Sequence, residues 1–264
     1  MPLARSVLVT GVGGRIGRAI WDDLRATYAI VRGVDIRAPL DLPGEVVQAD
    51  LADLGATVRV ADGMDAIVHL AGIPDEAPFD DLVQANIVAT YNVLEAAHRS
   101  GTRRVVLASS NHVVGYYPRT TTVGPEDPLR PDSLYAVSKL TGEGLGRLYH
   151  EKFGLEVVCL RIGSFRPEPE DRRQLSTWLS PRDGTALVRR SLDAEDVGFA
   201  VVFGTSHVQP SWWHNPDAAR IGYAPTDSVE TYAASLRNQA EDGVIGPEVQ
   251  GGFFAEPDYR GRRR

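Results

Sequence analysis

Short β-rich runs alternate with helical patterns over the first two-thirds of the chain. Such alternation is typical of βαβ units and a parallel sheet. Because the connections are short, right-handed crossovers and a doubly wound parallel sheet are favoured, so we expect an α/β fold of the Rossmann type. The predicted strands are 6–10, 29–34, 45–48, 66–70, 104–108 and 156–162, and the predicted helices are 14–26, about 80–99 and 135–153.

The pattern loosens after residue 162, where a polar, proline-rich stretch at 166–173 precedes a further helical pattern, an apolar strand and an aromatic loop. Loops on a rigid scaffold commonly carry function. We expect residues 1–165 to form a cofactor-binding core with the catalytic side chains. Residues 166–264 should form a small substrate-binding region packed on the same domain, whose tail from residue 241 is either docked or frayed.

Composition excludes several classes of partner. The 28 basic and 35 acidic residues give a net charge of −7, which argues against a nucleic-acid or anionic-membrane surface. One cysteine forms no internal disulfide. The chain opens with Met-Pro-Leu-Ala-Arg directly before a strand, unlike a cleaved leader, and no apolar run approaches roughly 18 residues. We therefore expect a cytoplasmic protein with no nucleic-acid or membrane partner.

A glycine-rich turn joins the first predicted strand to the first predicted helix. Gly11, Gly14 and Gly17 stand at G-x-x-G-x-x-G spacing, with Arg15 and Ile16 between the last two. Glycine permits a tight turn, close approach of the backbone to a pyrophosphate and close helix–strand packing, and the helix N-terminus supplies N–H donors. The spacing alone is a weak signal, but its place between a strand and a helix indicates a dinucleotide site.

The predicted dinucleotide is NAD. Asp35 follows Gly11 by 24 residues at the end of the second strand, where a carboxylate accepts both ribose hydroxyls and repels a 2′-phosphate. Arg15 and Arg37 lie close enough in sequence to leave some use of NADP open. Asp50, after the third strand, is either an adenine contact or a helix cap.

Further NAD contacts are expected where the fourth strand ends and inside the helix that follows it. Leu70-Ala71-Gly72 stands where the cofactor should cross the sheet edge, and Asn86 occupies a helix interior that asparagine disfavours, which indicates a buried bonding role near the site. The whole predicted NAD-binding set is Gly11, Gly14, Arg15, Ile16, Gly17, Asp35, Ile36, Asp50, Leu51, Leu70, Ala71, Gly72, Asn86, Tyr135, Lys139 and Ile162.

A tyrosine and a lysine at i and i+4 provide the strongest catalytic signal. Tyr135 and Lys139 lie on one face of one predicted helix, and Lys139 is one of only two lysines among 28 basic residues. A nearby cation lowers a phenol pKa that is ordinarily about 10, and an oxidised nicotinamide adds to this effect, so we expect a general base near neutral pH. Ser110, at the end of the fifth strand, is the predicted partner for the reacting oxygen, with Ser109 as the alternative.

These motifs resemble those of the extended short-chain dehydrogenase/reductases over residues 5–165. A narrower resemblance, to the uronate dehydrogenases, covers nearly the whole chain. The segments that carry it are Ser109–Pro118, Arg161–Ser164, Pro167–Pro169, Leu175–Trp178, Trp212-Trp213 with Asn215, and Gln250–Phe253.

The resemblance implies NAD-dependent oxidation of D-glucuronate and D-galacturonate at C1 to an aldaric acid lactone, with Tyr135 as base and no metal. It implies that Arg173 binds the C6 carboxylate near Ser164, that Asn111 and His112 bind ring hydroxyls, and that Ser110 and Tyr135 also contact the substrate. It also implies a homo-oligomer, paired through the helices at about 80–99 and 135–153. Pro74 departs from the family, which carries a hydroxyl residue there, so one substrate hydrogen bond is in doubt.

Two other functions remain open at this point. A nucleotide-sugar epimerase or dehydratase of the same superfamily would have a longer C-terminal part, and a dehydratase would carry an acidic pair where Asn111 and His112 stand. A non-catalytic NAD-sensing protein would have lost the pair Tyr135 and Lys139, which this chain retains.

Overall fold

A seven-stranded parallel sheet forms the centre of the computed structural model, which describes residues 5–37, 41–241 and 243–261. Its order is β3-β2-β1-β4-β5-β6-β9, the doubly wound order in which the chain starts centrally and winds outward in both directions. The strands are β1 (Ser6–Thr10), β2 (Ile30–Asp35), β3 (Glu45–Gln48), β4 (Ala66–His69), β5 (Arg104–Ser110), β6 (Glu156–Ile162) and β9 (Phe199–Gly204); β7 (Ser164–Phe165) and β8 (Trp178–Leu179) form a separate pair.

Helices cover both faces of the sheet and bury its alternating side chains. The described helices are α1 (Arg15–Thr27), α2 (Leu54–Ala61), α3 (Phe79–Leu82), α4 (Ala89–Ser100), α5 (Leu134–Phe153), α6 (Pro181–Asp193), α7 (Pro216–Arg220) and α8 (Glu230–Leu236). Val7 and Val9 belong to the core that includes α1 and α6, whereas Leu8 between them belongs to the core of α2, α4 and α5. This period of two, with apolar residues on both faces, is what a buried parallel strand requires.

The predicted α/β fold is confirmed, with local differences. Sequence reasoning missed α2, which begins where Asp53 Oδ1 accepts from the Ala56 N–H. The helix expected at about 80–99 is α3 and α4 joined by a π-helical turn at Val83–Val88, an irregularity often found at functional sites. Residues 1–4, where the sequence predicts no leader, lie outside the described residues, as do the arginines at 262–264.

The tail after residue 241 is docked wherever it is described. Arg119 binds the Glu241 carboxylate and the Gly246 carbonyl, and Gln250 donates to the carbonyls of Pro118 and Thr121. Of the two alternatives that the sequence leaves open, docking is correct for residues 243–261. No helix in the described part of the chain is both long and apolar enough to cross a membrane.

Candidate active site

The carboxyl ends of the central strands meet at one edge of the sheet and open a cleft of about 580 Å³. Parallel register places Thr10 beside His69 and Ser110 beside Ile162, so the loops after β1, β4, β5 and β6 reach the same edge. The predicted residues that line this cleft are Gly11, Gly14, Arg15, Ile16, Gly17, Leu70, Gly72, Ser110, Asn111, His112, Tyr135, Lys139, Ile162, Ser164 and Arg173.

The glycine turn fills one end of the cleft. Gly11 has a φ of +68°, and a Cβ there would lie 2.6 Å from the Ala71 nitrogen. A Cβ on Gly17 would lie 2.5 Å from the Gly11 carbonyl oxygen. Helix α1 begins without a side-chain cap, so its first N–H groups are available to an anion at its N-terminus. These features fit a pyrophosphate.

Asp35 holds the turn in place from the end of β2. Its Oδ2 accepts from the Gly13 N–H at 2.9 Å and its Oδ1 accepts from the Arg37 N–H at 3.2 Å. Asp50 is exposed and accepts from the Ala52 N–H. Because Asp53 caps α2, the helix-cap alternative for Asp50 is wrong.

Six of the predicted NAD contacts do not line the cleft. One is Ala71, which packs against Gly11. The others are Asp35, Ile36, Asp50, Leu51 and Asn86.

Tyr135 and Lys139 project from the first turns of α5, which Ser133 caps. The Glu76 carboxylate accepts from the Tyr135 N–H at 2.9 Å, which fixes the start of the helix from the loop after β4. Tyr135 is 7% exposed, and Lys139 Nζ lies 5.9 Å from the centroid of its ring.

The two serines at the end of β5 have different hydrogen-bond partners. Ser109 Oγ donates to the Glu143 carboxylate at 2.6 Å, in a buried cluster with Arg161. Ser110 accepts from the His112 N–H and hydrogen-bonds the Tyr135 phenol, an interaction that favours the phenolate. The structure thus places Ser110, rather than Ser109, beside Tyr135.

Burial has opposite consequences for the two titratable groups of α5. It raises the pKa of Tyr135 to about 12, against the favourable hydrogen bond from Ser110, and it lowers the pKa of Lys139 to about 8. Without a cofactor, removal of the phenolate from water outweighs the effect of its neighbours. The predicted general base near neutral pH includes the charge of an oxidised nicotinamide, so it stays a prediction. A further positive charge beside Tyr135 is needed to ionise it near pH 7.

His112 is oriented from both sides. Its Nδ1 lies 2.7 Å from the Asp132 carboxylate, which assigns the proton to Nδ1 and leaves Nε2 for the cleft. Phe254, from the docked tail, stacks on the imidazole with 3.9 Å between ring centroids. Sequence reasoning assigned no role to Asp132 or Phe254; the Gln250–Phe253 motif was the only signal near the second.

Arg173 is a buried cation without a carboxylate partner in the described ranges. It is 7% exposed, its Nε donates to the Gln250 carbonyl at 2.7 Å, and its Nη1 lies 3.5 Å from Ser164 Oγ. With the Asn111 amide oriented to satisfy its neighbours, Asn111 Oδ1 accepts from Arg173 Nη2 at 2.8 Å. Burial lowers the arginine pKa to about 10. A guanidinium held only by neutral groups in a cleft is suited to a planar anion.

Asn86 acts on the loops around the site. From the π-helical turn its Oδ1 accepts from the Ile73 N–H at 2.7 Å, and its Nδ2 donates to Ser138 Oγ at 2.8 Å. It thereby joins the loop after β4 to helix α5. The predicted buried hydrogen-bonding role of Asn86 is confirmed, since its side chain holds this loop against the helix. Direct contact between Asn86 and a cofactor stays a prediction.

A hydrogen-bonded chain that the sequence did not reveal runs behind the cleft. Thr10 Oγ1 accepts from the Ala71 N–H, so it donates to His69 Nδ1 at 2.8 Å. Thr90 donates to the Asn86 carbonyl, so His69 Nε2 donates to Thr90 Oγ1 at 3.1 Å. The imidazole is therefore neutral, in keeping with burial that lowers its pKa to about 3.

Trp212 and Trp213 pack in a hydrophobic cluster with Phe203, whose ring stacks on Trp213 at 4.9 Å. Both side chains are therefore part of the core, and neither lines the cleft. Pro74 does line it and offers no donor there. No group of three His, Cys, Asp or Glu side chains within the described segments is arranged to hold a metal ion.

Comparison with known proteins agrees with this geometry. The sequence profile of the NAD dependent epimerase/dehydratase family matches residues 7–221. A uronate dehydrogenase from Agrobacterium fabrum is 45% identical over 96% of this chain and 97% of its own length, and one from Pseudomonas syringae pv. tomato is 42% identical over 94% and 92%. A solved uronate dehydrogenase mutant from Agrobacterium tumefaciens, complexed with NAD, superposes with a TM-score of 0.90 at 41% identity, over 97% of this chain and 99% of that one.

Proposed function

We propose, since this chain belongs to the NAD dependent epimerase/dehydratase family, that it is an NAD-dependent uronate dehydrogenase. It oxidises D-glucuronate and D-galacturonate at C1 to the aldaric acid lactone. The uronate dehydrogenases described above match this chain over nearly its full length and nearly their own. This match supports uronate oxidation over the function of a nucleotide-sugar epimerase or of a non-catalytic NAD-sensing protein.

The observation that carries the proposal is the position of Arg173. Its buried guanidinium lines the same cleft as Tyr135 and Lys139, and in the described residues only uncharged groups bind it. A buried charge without a counter-ion is costly, so the carboxylate of the substrate provides the counter-ion for the Arg173 guanidinium. Neutral sugars offer no such group, which explains selection of a sugar acid.

The cleft fits NAD from the glycine turn to the tyrosine. Gly11 and Gly17 allow the close backbone packing that forms the turn, and the uncapped N-terminus of α1 presents N–H donors to the pyrophosphate. Asp35 retains acceptor capacity toward the ribose hydroxyls at the end of β2. We expect Ile36, Asp50 and Leu51 to surround the adenine side. Bound oxidised NAD supplies a hydride acceptor and a positive charge.

The residues around Tyr135 remove the proton of the substrate hydroxyl. The phenolate takes the proton of the C1 hydroxyl as hydride leaves C1, and Ser110 Oγ hydrogen-bonds the reacting oxygen. Lys139 stabilises the phenolate, as does any cation in the cleft, and together they offset the burial that holds the pKa near 12. Asn111, His112 and Ser164 bind the other oxygens of the ring and carboxylate.

The absorbance of NADH tests the proposal directly. Purified protein with NAD is given glucuronate, galacturonate, glucose, glucose 6-phosphate or a nucleotide-sugar in turn. We expect NADH from the two uronates and little from the others, since only the uronates carry a planar carboxylate at C6 for Arg173 to bind. Absence of NADH with both uronates would refute the proposal, and turnover of the nucleotide-sugar would favour the alternative.

The homo-oligomer and the cytoplasmic location are part of the same proposal. Tyr91 on α4 and Leu148 and Phe153 on α5 are exposed large hydrophobic side chains, which suits helices that pair with a second copy. Light scattering tests the assembly: a monomer at micromolar concentration would contradict it.

A further inference from the structure

Gln250, in the docked tail, is a fully buried residue that does not line the cleft. Its Oε1 accepts from Trp213 Nε1 at 2.9 Å, and its Nε2 donates to the carbonyls of Pro118 at 3.2 Å and Thr121 at 2.8 Å. Because an indole N–H can only donate and a carbonyl can only accept, these partners fix the amide in one orientation. The oxygen and both hydrogens of the Gln250 amide are therefore satisfied inside the protein.

The backbone of Gln250 is bound at the same place. Its N–H donates to the Tyr117 carbonyl at 2.9 Å, and its carbonyl accepts from Arg173 Nε at 2.7 Å. The preceding residue, Val249, forms an antiparallel bridge with Pro118. Gln250 thus connects the loop after β5 and the aromatic loop to the arginine that is proposed to bind the substrate.

Trp213 is fixed against the edge of the sheet. Its ring stacks on Phe203 of β9 with the two planes 9° apart, and its backbone forms a parallel bridge with Val123. Asn215 accepts from the Phe203 N–H at 3.0 Å and donates to the Phe203 carbonyl at 2.7 Å. The indole N–H therefore belongs to a rigid part of the fold, and through it Gln250 is bound to the edge strand.

The tail leaves room for the Arg173 side chain and sets its direction. Gly252 has a φ of +64°, and a Cβ there would lie 2.5 Å from Arg173 Cδ. With Nε bound to the Gln250 carbonyl, the guanidinium can bind a planar anion in bidentate fashion only through Nη1 and Nη2. The Gln250 carbonyl therefore decides which edge of the guanidinium faces the substrate.

We propose that Gln250 is a positioning residue for Arg173, and that the hydrogen bond from Trp213 Nε1 keeps Gln250 in place. Gln250 lies outside the cleft, so it acts on recognition of the carboxylate through the bond between its carbonyl and Arg173 Nε. The kinetic consequence rests on the proposed uronate oxidation, whereas the position of the guanidinium does not.

Trp213→Phe tests this role, because it removes the indole N–H and keeps an aromatic ring against Phe203. We expect KM for glucuronate to rise about tenfold, the loss typical of one hydrogen bond to a charged group, with little change in kcat or in KM for NAD. Trp212→Phe is the matched control: it makes the same change of side chain in the same hydrophobic cluster, but Gln250 Oε1 accepts from Trp213. The control should lower Tm by a similar amount and retain the parent KM.

A double-mutant cycle with Arg173→Met separates positioning from a general loss of structure. Because Gln250 acts through Arg173, adding Trp213→Phe to the Arg173→Met protein should change kcat/KM for glucuronate less than about twofold. Equal effects of Trp213→Phe in both backgrounds, or an equal loss with glucose, would overturn the proposal, since the tryptophan would then act on something other than recognition of the carboxylate.

A crystal structure of the unaltered protein with NADH and glucuronate supplies a test that needs no variant. The carboxylate is expected on Nη1 and Nη2, with Arg173 Nε still hydrogen-bonded to the Gln250 carbonyl. A carboxylate on Nε, with that carbonyl displaced, would overturn the proposal.

Failure of the unaltered protein to oxidise either uronate would refute the proposed function and leave the positioning role open to a structural test. In a ligand-free crystal structure of Trp213→Phe, we expect the Gln250 carbonyl and the Arg173 guanidinium to be displaced. If both groups keep their positions and their hydrogen bond, the positioning role is wrong.

Discussion

Substitution of Arg173 by methionine should separate recognition of the carboxylate from the chemistry at C1. Methionine keeps much of the apolar stem while it removes the buried guanidinium. A bidentate, charge-assisted pair with a carboxylate contributes about 3 kcal/mol, so kcat/KM for glucuronate should fall roughly a hundredfold. The fall should appear chiefly in KM, since the carboxylate is bound equally in the ground and transition states.

The same substitution also removes the bonds from Arg173 to Gln250 and Asn111, so a general loss of structure has to be distinguished from a loss of recognition. Glucose, which lacks the carboxylate, is the control substrate: its low kcat/KM should change less than about threefold. Arg172→Met is the control variant, because the neighbouring arginine is exposed and lies outside the cleft lining.

Steady-state NADH formation with both substrates, together with KM for NAD and Tm, provides the measurement. An equal loss with glucuronate and glucose would refute carboxylate recognition by Arg173, since the damage would then be independent of the charge it is proposed to bind. Arg173→Lys should recover part of the affinity, because the charge remains while the planar fork is lost.

Three other substitutions or conditions have defined outcomes. Tyr135→Phe should lower kcat by about 10²–10⁴ in stopped-flow or steady-state assays, with NAD affinity by calorimetry nearly unchanged; full activity would refute the base assignment. Gly11→Ala should weaken NAD binding at least tenfold by calorimetry, because its Cβ would collide with the Ala71 backbone at a φ of +68°, and unchanged affinity would contradict the account of the turn. His69 stays unprotonated in the folded protein down to a pKa of about 3, whereas the unfolded chain binds that proton below about pH 6.5. The free energy of unfolding should therefore fall by up to about 1.4 kcal/mol per pH unit between pH 6.5 and 3 from this group, and urea titrations of His69→Gln should show a shallower slope.

Much of the fold follows from local patterns in the sequence. The glycine turn at Gly11 and the β-rich runs predict β1, α1 and the neighbouring strands because each carries its own signal of period and turn chemistry. Helix α2 carries a weaker signal, as it is short and begins at a cap, Asp53, that resembles any acidic loop residue.

The chemistry of the site was predictable where two residues on one element suffice. Tyr135 and Lys139 share a helix face, so their spacing alone indicates the pair. The choice between Ser109 and Ser110 depends on Glu143, which approaches from α5, and no local pattern reveals it.

Contacts between segments distant in sequence account for what sequence reasoning missed. Phe254 reaches His112 across more than a hundred residues, and Arg173 is fixed by the Gln250 carbonyl. The raised pKa of Tyr135 has the same origin, since burial is a property of the assembled fold. The abundance of arginine in the chain further weakened any inference about Arg173 from residue type.

Glucuronate that carries deuterium at C1 tests the central claim most directly. The account predicts that the deuterium leaves C1 as hydride and appears in the reduced cofactor, so mass spectrometry should show NADH heavier by one mass unit and a lactone without the label. Deuterium retained in or returned to the sugar, as in an epimerase cycle, would contradict oxidation at C1 in this cleft.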